Sequence, residues 1–325
     1  MNLNYKIAII NPSRPDGLAR TVIDGLAELK KGNENLEFRL SENFEYNLPL
    51  ENKVLSRENF ISYAKEADLI FFIWDKYKID YKLAKQIKSW KKTIYIDGSE
   101  VGRDRRYDFT IQKKIIDLKY RKQGAIDKKM LKKCALYFRR EKPYLNGIIP
   151  LPFGIESSYL KNYKKDIKKD IDFNCIFGQS EYPILRKYVT ETLVKFCKKN
   201  NFSYSIEKTN NREEFYKLMA RSKVGISVGG GGFDTFRFWE ILANNCLLLT
   251  EKIDIYQPGS SELNYKRIRQ FSNLYDFQSQ LIKVARFLKE EYREEDLKEE
   301  YKEILNRHSS KARVLKILNN FKKAV

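Results

Sequence analysis

The sequence is poor in histidine, has no closely spaced cysteines and contains no long apolar run. Its 325 residues include one histidine, and its four cysteines are scattered without Cys-x-x-Cys spacing. These counts argue against a structural zinc site and favour buried, reduced cysteines. The longest apolar runs, residues 69–74 and 246–250, have the length of strands and fall far short of a bilayer crossing. The N-terminal segment also lacks the features of a signal peptide, so we expect a cytoplasmic protein.

Positive charge is concentrated in one part of the chain. The formal net charge is +20. Residues 1–75 carry 9 basic and 12 acidic side chains, whereas residues 76–142 carry 22 basic and 8 acidic ones. A field of this sign suits an anionic partner, such as the phosphates of a lipid carrier, a membrane surface or nucleic acid. A lysine-rich genome would give the same composition with solvated lysine side chains, so both interpretations stay open at this point.

Strand-like and helix-like segments alternate along the whole chain. This alternation predicts parallel sheets with crossover helices. The predicted strands are residues 5–10, 36–40, 68–74, 93–96 and 135–138 in the first half, and 173–177, 202–206, 224–228 and 247–250 in the second. The order predicts an α/β protein of two Rossmann-like domains with a cleft between them. The residues from 276 to 323 predict a helical C-terminal tail with charged faces.

A proline- and glycine-rich segment separates the two halves. Residues 147–154 suit a stiff crossover, and the lysine-rich residues 161–169 suit a linker. The expected division is an N-terminal domain of residues 1–155, a linker of residues 156–171, a C-terminal domain of residues 172–290 and, in residues 291–325, helices that pack back across both domains.

The most informative segment is a glycine-rich loop between a predicted strand and a predicted helix. Residues 224–240 read VGISVGGGGFDTFRFWE. The loop contains four consecutive glycines: Gly229, Gly230, Gly231 and Gly232. They let backbone N–H groups approach a phosphate, and a helix that begins near Asp234 adds positive potential. Arg237 and Glu240 share one helix face, where they can bind a diphosphate and a ribose diol. A flexible loop before a capped helix with a surface ion pair is the alternative.

Residues 233–250 resemble a known motif. They read FDTFRFWEILANNCLLLT, which is similar to the donor motif of GT-B glycosyltransferases, in particular those of the group-1-like, spore-maturation CgeB type. In that family a conserved arginine and glutamate open a helix that leads to a small-residue turn and an apolar strand. The resemblance implies that Glu240 holds the nucleotide ribose and that Arg237 is the family arginine. Asn245 stands where the family usually has glycine, and asparagine also accepts the left-handed backbone.

Two further segments extend the resemblance over roughly residues 135–320. The strand and loop of residues 172–178, followed by Arg186, resemble the opening of the family's donor domain. His308 to Arg313 resembles its late His-Thr element, with Ser309 in place of threonine. The resemblance implies a GT-B fold whose C-terminal domain binds the donor and whose N-terminal domain binds the acceptor. The implied donor residues are Gly178, Arg186, the four glycines, Asp234, Arg237 and Glu240.

The catalytic residues are less well defined by the sequence. Retaining GT-B enzymes of the Glu-x7-Glu type carry an acid eight residues before the ribose glutamate, and here that position is Gly232. An inverting enzyme needs a base on the acceptor side. Asp97 and Glu100 directly follow a predicted strand and would face the cleft, and Asp16 is a further candidate, although a role as a loop or capping residue is the alternative for each. We therefore expect Asp97, Glu100 and Arg237 to be catalytic and leave the stereochemistry open.

Together these features predict a nucleotide-sugar-dependent glycosyltransferase of the hexosyltransferase type. No metal or other cofactor is expected, because positive side chains and helix dipoles can stabilise the departing diphosphate. The expected acceptor is an anionic glycan, a lipid-linked sugar or a protein, as in cell-surface glycan biosynthesis, with peripheral contact at the inner membrane surface. Arg103, Arg105 and Arg106 are the expected acceptor-binding residues, since arginine makes bidentate phosphate contacts.

Two alternatives stay open. One is a glycosyltransferase that acts on DNA or tRNA, and the other is a non-enzymatic, basic nucleic-acid-binding protein. A dinucleotide-dependent oxidoreductase is disfavoured, because the loop after the first predicted strand lacks the Gly-x-Gly-x-x-Gly sequence that such enzymes need.

Overall fold

The first half of the chain forms a six-stranded parallel sheet in the computed structural model. The structure describes residues 3–13, 17–44, 53–74, 80–100, 125–161, 163, 167–180 and 183–324. The strands of this first sheet are β1 (Tyr5–Ile10), β2 (Leu36–Leu40), β3 (Leu69–Trp74), β4 (Thr93–Asp97), β5 (Leu136–Arg139) and β6 (Ile148–Pro150). They pair in the order β2-β1-β3-β4-β5-β6. Strand β3 is apolar along its whole length, as expected for a parallel strand covered on both faces.

Helices cover both faces of the first sheet. On one face lies α1 (Leu18–Lys30), and on the other lie α2 (Arg57–Glu66), α3 (Tyr81–Ile87) and α4 (Lys128–Lys133). Successive residues of β1 alternate between the two sides: Ile7 and Ile9 pack with α1, whereas Ala8 and Ile10 pack with α2 and α3. The side chain of Ser56 caps α2 by accepting a hydrogen bond from the Asn59 N–H at 3.4 Å, as the sequence predicts.

The second half forms a five-stranded parallel sheet. Its strands are β7 (Ile171–Asn174), β8 (Tyr204–Ser205), β9 (Ser222–Ser227), β10 (Leu247–Glu251) and β11 (Ile268–Phe271), in the order β11-β10-β9-β7-β8. The helices that follow are α5 (Ile184–Asn200), α6 (Arg212–Ala220), α7 (Phe236–Ala243) and α8 (Leu274–Glu290). Helices α5 and α8 share one apolar core with this second sheet, whereas α6 and α7 contribute to the apolar core that also contains α1. The candidate functional site lies at the carboxyl edge of β9, where the chain leads into α7.

The C-terminal tail returns to the first sheet. Helix α9 (Lys298–His308) is followed directly by α10 (Ser310–Ala324), which packs along α1. The two helices approach so closely at Gly25 that a Cβ there would lie 2.3 Å from the Ser310 carbonyl oxygen. Asp24 of α1 accepts hydrogen bonds from the side chains of Ser157 and Ser310. The two sheets and the helical tail confirm the predicted α/β architecture, while the domain boundaries stay a prediction.

Two strands were not predicted as strands. Residues 148–150, predicted as part of a crossover, form β6, where proline is tolerated because β6 is the edge strand of the sheet that the described residues form. Strand β11 was not predicted, since its four residues carry only two buried apolar side chains. The predicted helix of residues 109–120 lies outside the described residues, as do Asp16, Arg103, Arg105 and Arg106.

None of the helices in the described part of the chain combines the length and the apolarity that a bilayer crossing requires.

Candidate functional site

The glycine loop lies at the carboxyl edge of the second sheet. Strand β9 ends at Ser227, and α7 begins after Thr235, whose side chain caps the helix by accepting a hydrogen bond from the Phe238 N–H at 3.4 Å. Strand β7 is the neighbour of β9, so the loop that follows β7 meets the same edge. Gly178 in that loop is exposed, and a Cβ built there would meet nothing within 4 Å. The edge therefore has free space in front of Gly178.

Arg186 joins these two loops. Its guanidinium donates from Nη1 to the Gln179 carbonyl at 3.0 Å and from Nη2 to the Val228 carbonyl at 3.1 Å. A Cβ at Gly230 would lie 3.1 Å from the same Nη2 atom. The structure thus brings Arg186, selected from the sequence as a donor residue, against the backbone of the glycine loop. Its charge adds to the positive potential at the start of α7.

Arg237 and Glu240 lie together on the first turns of α7. Arg237 Nη1 is 3.1 Å from Glu240 Oε2, and the guanidinium stacks on the ring of Phe215 with Cζ 3.8 Å from the centroid. The Nη1 atom is buried, and its contact with Glu240 has the distance of an ion pair without the geometry of a hydrogen bond. The two side chains are 18% and 13% exposed, so solvent reaches both.

Tyr216, which the sequence analysis did not select, fixes the position of Glu240. Its hydroxyl donates to Glu240 Oε1 at 3.0 Å from a buried position on α6. Burial, and then the neighbouring Glu240 charge, raise the pKa of Tyr216, so the hydroxyl stays protonated and remains a donor. The sequence gives no signal for this contact, because it depends on how α6 and α7 pack side by side.

Asn174 is a second residue that the sequence analysis missed. It ends β7, is 1% exposed, and neither its amide nitrogen nor its amide oxygen has a hydrogen-bond partner. It pairs with Gly225 of β9, and a Cβ at Gly225 would touch Ile241 of α7. Paired residues of parallel strands point to the same face, so Asn174 faces the α7 side of the sheet. A buried, unpaired amide is costly, which makes Asn174 a candidate ligand contact.

A buried charged cluster ties the end of the glycine loop to the first sheet. The carboxylate of Asp234 accepts hydrogen bonds from the Phe153 N–H at 2.7 Å and from Trp239 Nε1 at 2.8 Å. The backbone of Asp234 donates to Glu141 Oε1 at 3.0 Å and accepts from Arg140 Nη2 at 2.6 Å. Burial raises the pKa of Asp234, while the Arg140 charge opposes this effect. Asp234 therefore holds the end of the glycine loop against Phe153 and Glu141.

The carboxylate of Glu141 occupies the space that a side chain at position 232 would need. A Cβ at Gly232 would lie 2.2 Å from Glu141 Oε1. Glu141 is fully buried and lies two residues after β5. Asp97 and Glu100 were selected because they closely follow a strand of the first sheet. Glu141 has the same position relative to β5, so the same criterion could have identified it from the sequence.

Asp97 and Glu100 have different surroundings. Asp97 ends β4 in a buried position, where its carboxylate forms an ion pair with Arg139 and accepts a hydrogen bond from the Tyr137 hydroxyl at 2.6 Å and another from Ser99. Glu100 is half-buried and lies 3.6 Å from Arg140 Nη2. Through Arg140, Glu100 is therefore connected to the glycine loop, whereas Asp97 fixes the neighbouring strand β5. The catalytic assignment of both residues stays a prediction.

His308 lies behind α7, away from the glycine loop. It is fully buried, and Arg313 Nη2 lies 3.0 Å from its Nδ1 atom. Because arginine can only donate, Nδ1 accepts, and the proton on Nε2 is directed to the Tyr265 hydroxyl at 3.0 Å. Burial and the nearby positive charges lower the pKa of His308 to about 2, so the ring is neutral. The structure gives His308 a packing role.

Comparison with known proteins identifies the fold. No protein-family model matches the chain, and no curated protein sequence matches it. A glycosyltransferase from Rickettsia africae ESF-5 superposes with a TM-score of 0.59 at 12% identity, covering 99% of this chain and 98% of that one. An α-glucosyltransferase in complex with UDP-glucose and DNA containing an abasic site gives 0.55 at 10% identity, covering 98% of both chains.

A third structure extends this picture. A protein from Listeria monocytogenes assigned as a UDP-N-acetylglucosamine 2-epimerase gives a TM-score of 0.51 at 10% identity, covering 98% of this chain and 96% of that one. At these identities the matches define the fold alone. The chain has the GT-B fold, and the matches do not single out the CgeB type within it.

Proposed function

We propose that the protein is a nucleotide-sugar-dependent glycosyltransferase whose donor binds between the glycine loop and α7. The observation that carries this proposal is Arg237 Nη1, a buried atom just after the glycine loop that makes no hydrogen bond within the described residues. A diphosphate oxygen would supply the missing acceptor, and the dipole of α7 would add to its binding. Two of the three structural neighbours are described as glycosyltransferases, and one of them was solved with UDP-glucose.

Glu240 and Tyr216 complete the donor site. Arg237 Nη1 lies 3.1 Å from Glu240 Oε2, and it would leave this oxygen when the guanidinium turns toward the diphosphate. Glu240 can then accept hydrogen bonds from the ribose hydroxyls, while the Tyr216 hydroxyl continues to hold Oε1. Binding of the diphosphate and binding of the ribose are thereby coupled through one ion pair.

The transfer step needs a base for the acceptor and stabilisation for the leaving group. An acceptor hydroxyl oxygen bonds to the anomeric carbon of the sugar, its proton goes to a carboxylate, and the bond to the diphosphate breaks. Glu100 is our preferred base, because it is half-buried beside the loop anchor, whereas Asp97 is fully buried. Arg237 stabilises the charge that develops on the diphosphate, so we expect transfer without a bound metal.

Donor binding can be tested by calorimetry with UDP-glucose and UDP-N-acetylglucosamine. Arg237→Ala and Glu240→Gln should each weaken the binding of the preferred donor by roughly 10- to 100-fold, since a hydrogen bond to a charged group contributes about 1.5–3 kcal/mol. The matched control is the exposed ion pair of α8, altered as Arg286→Ala and Glu290→Gln. If all four variants bound the donor with the affinity of the wild-type protein, the proposed donor site would be wrong.

The products separate this proposal from an epimerase, the activity assigned to one structural neighbour. A glycosyltransferase releases the nucleoside diphosphate in proportion to the acceptor that it glycosylates. An epimerase would change the sugar configuration of the donor with no acceptor present, which proton NMR of the nucleotide sugar detects directly.

For the acceptor we propose an anionic glycan or lipid-linked sugar, recruited by Arg103, Arg105 and Arg106 within the basic segment of residues 76–142. DNA is the second candidate, because one structural neighbour was solved with DNA and this chain carries a net charge of +20. Transfer of labelled sugar to glycolipid extracts, DNA and tRNA distinguishes the two. Replacing Arg103, Arg105 and Arg106 with alanine should raise the acceptor KM most at low salt and spare donor hydrolysis. Unchanged sugar transfer at low and at high salt would show that these arginines do not bind the acceptor.

A further inference from the structure

A groove at the amino-terminal edge of the first sheet combines an apolar floor with a rim of lysines. It encloses about 770 Å³ and lies where β4 and β5 begin, near the C-terminal end of α10. We call it the lysine groove, and its lining residues are Lys88, Ser89, Trp90, Lys91, Lys92, Lys133 and Phe321. The glycine loop belongs to the carboxyl edges of the strands, so the lysine groove is a separate surface.

The local backbone presents Trp90 at this edge. Lys88 ends α3 with a φ of 57°, in the left-handed region, and this bend leads into a short 3₁₀ turn of residues 90–92. Lys92 fastens the turn by donating from Nζ to the carbonyls of Lys65 at 2.7 Å and Ala67 at 2.5 Å. The groove is therefore built on anchored backbone, with Trp90 half-buried on its wall.

The charged residues that line the lysine groove are all lysines. Four of its seven lining residues are lysines, and none is acidic. Lys133 Nζ lies 5.5 Å from the Trp90 ring centroid. Within the described residues, no carboxylate forms an ion pair with the four lysines. Lys322 and Lys323, both exposed, follow Phe321 and extend the basic rim. Such a surface is complementary to an anionic partner.

We propose that the lysine groove docks the protein on a membrane that contains anionic lipids. Trp90 and Phe321 would lie at the boundary between head groups and acyl chains, where aromatic rings are favoured. Lys88, Lys91 and Lys133 would extend over the apolar surface with their ammonium groups on lipid phosphates. A single-stranded nucleic acid would instead need exposed aromatic faces on which bases stack, whereas both rings here are half-buried in an apolar groove.

Docking through this edge has a geometric consequence. The amino-terminal edge of the first sheet would face the bilayer, and the carboxyl edge would face away from it. The proposal does not depend on the proposed glycosyltransferase activity, and it can be tested on protein without donor or acceptor.

Sedimentation with lipid vesicles tests the proposal. The wild-type protein should bind phosphatidylcholine vesicles only when they contain phosphatidylglycerol, and binding should weaken as salt rises. Lys91→Ala combined with Lys133→Ala should reduce the partition coefficient by roughly 30-fold, at about fivefold per lysine. The matched control, Lys283→Ala combined with Lys289→Ala on exposed positions of α8, should bind like the wild type. Equal losses in both pairs would mean that only net charge matters and would overturn the proposal.

A second readout locates the contact. Vesicles with brominated acyl chains should quench the tryptophan fluorescence of the wild type, and Trp90→Phe should remove most of this quenching while it retains vesicle binding. Unchanged quenching in Trp90→Phe would place the membrane contact elsewhere. Single-stranded DNA that binds more tightly than vesicles, and loses affinity in the Lys91→Ala and Lys133→Ala protein, would assign the surface to nucleic acid. Thermal unfolding of each variant confirms that it is folded.

Discussion

Replacing Gly232 with alanine tests the contact between the glycine loop and the first sheet. The added Cβ would lie 2.2 Å from Glu141 Oε1 and 2.8 Å from its Cδ. The end of a side chain can often move aside, but Glu141 is fully buried and its Oε1 lies 3.2 Å from Arg140 Nη2. The same oxygen accepts the Asp234 N–H at 3.0 Å. To make room, the carboxylate must give up at least that hydrogen bond.

The magnitude follows from these contacts. A hydrogen bond to a charged group contributes about 1.5–3 kcal/mol, and overpacking a buried site costs about 1–3 kcal/mol, so Gly232→Ala should lower the free energy of unfolding by roughly 2.5–6 kcal/mol. Gly178→Ala is the matched control, because its Cβ would meet nothing within 4 Å. Its effect should stay within about 0.5 kcal/mol. Urea titration followed by circular dichroism measures both.

A double-mutant cycle separates this contact from a general effect of alanine in the loop. Glu141→Ala removes the obstructing carboxylate, so adding Gly232→Ala to that variant should cost much less than it does alone. The coupling should exceed about 1 kcal/mol, the range of residues in direct contact. The reasoning is wrong if the two effects simply add, or if Gly232→Ala unfolds at the same urea concentration as Gly178→Ala.

Three further predictions follow from the site and the core. Tyr216→Phe removes a hydrogen bond to Glu240 and should weaken the binding of UDP, measured by calorimetry, roughly fivefold, or by about 1 kcal/mol. Binding of a nucleotide without ribose hydroxyls should be unaffected, and an equal loss of affinity for both ligands would contradict the assignment of Glu240 to the ribose. His308 has a pKa of about 2 in the folded protein and an ordinary pKa of 6.5 in the unfolded chain, so unfolding takes up a proton in acid. Stability should therefore fall below about pH 6.5 by at most ~1.4 kcal/mol per pH unit, and His308→Gln should remove this component; an unchanged slope would show that His308 does not contribute. Burial raises the pKa of Cys175 and Cys197 to about 12, so a thiol reagent should label them only after urea unfolding; rapid labelling of the native protein would contradict their burial.

Sequence periodicity predicted the elements whose local signals agree with their tertiary surroundings. Helix α6 spans the predicted residues 212–220, and Asn211 caps it by accepting the Glu214 N–H at 2.9 Å. Asn245 was expected to adopt the left-handed backbone of the family's glycine, and its φ of 55° confirms this. Its side chain also binds Arg267 and Glu294, contacts that glycine could not make. The helix cap and the left-handed turn depend on a few neighbouring residues and are therefore visible in the sequence, whereas the side-chain contacts of Asn245 are not.

The contacts of the candidate site that the sequence did not predict join residues far apart in the chain. Glu141 and Gly232 meet only because β5 and β9 place their carboxyl ends near each other, and Tyr216 reaches Glu240 only because α6 lies beside α7. Neither strand register nor helix packing can be obtained from local periodicity. Asn174 is missed for a related reason, since a single asparagine at a strand end carries no signal until its burial is known.

Helix α1 shows how such contacts fix the site. Its sequence is amphipathic, yet Arg20, Thr21 and Asp24 on its polar side are all buried, because the crossover and the C-terminal tail cover that side. Arg20 pairs with Glu156 at 2.6 Å, Thr21 accepts the N–H of Gly154 at 3.3 Å, and Asp24 binds the side chains of Ser157 and Ser310. Since a buried polar group must keep its partners, the crossover is held on the first sheet by these bonds. The same crossover carries Phe153, whose N–H binds Asp234, so the glycine loop takes its position from the first sheet.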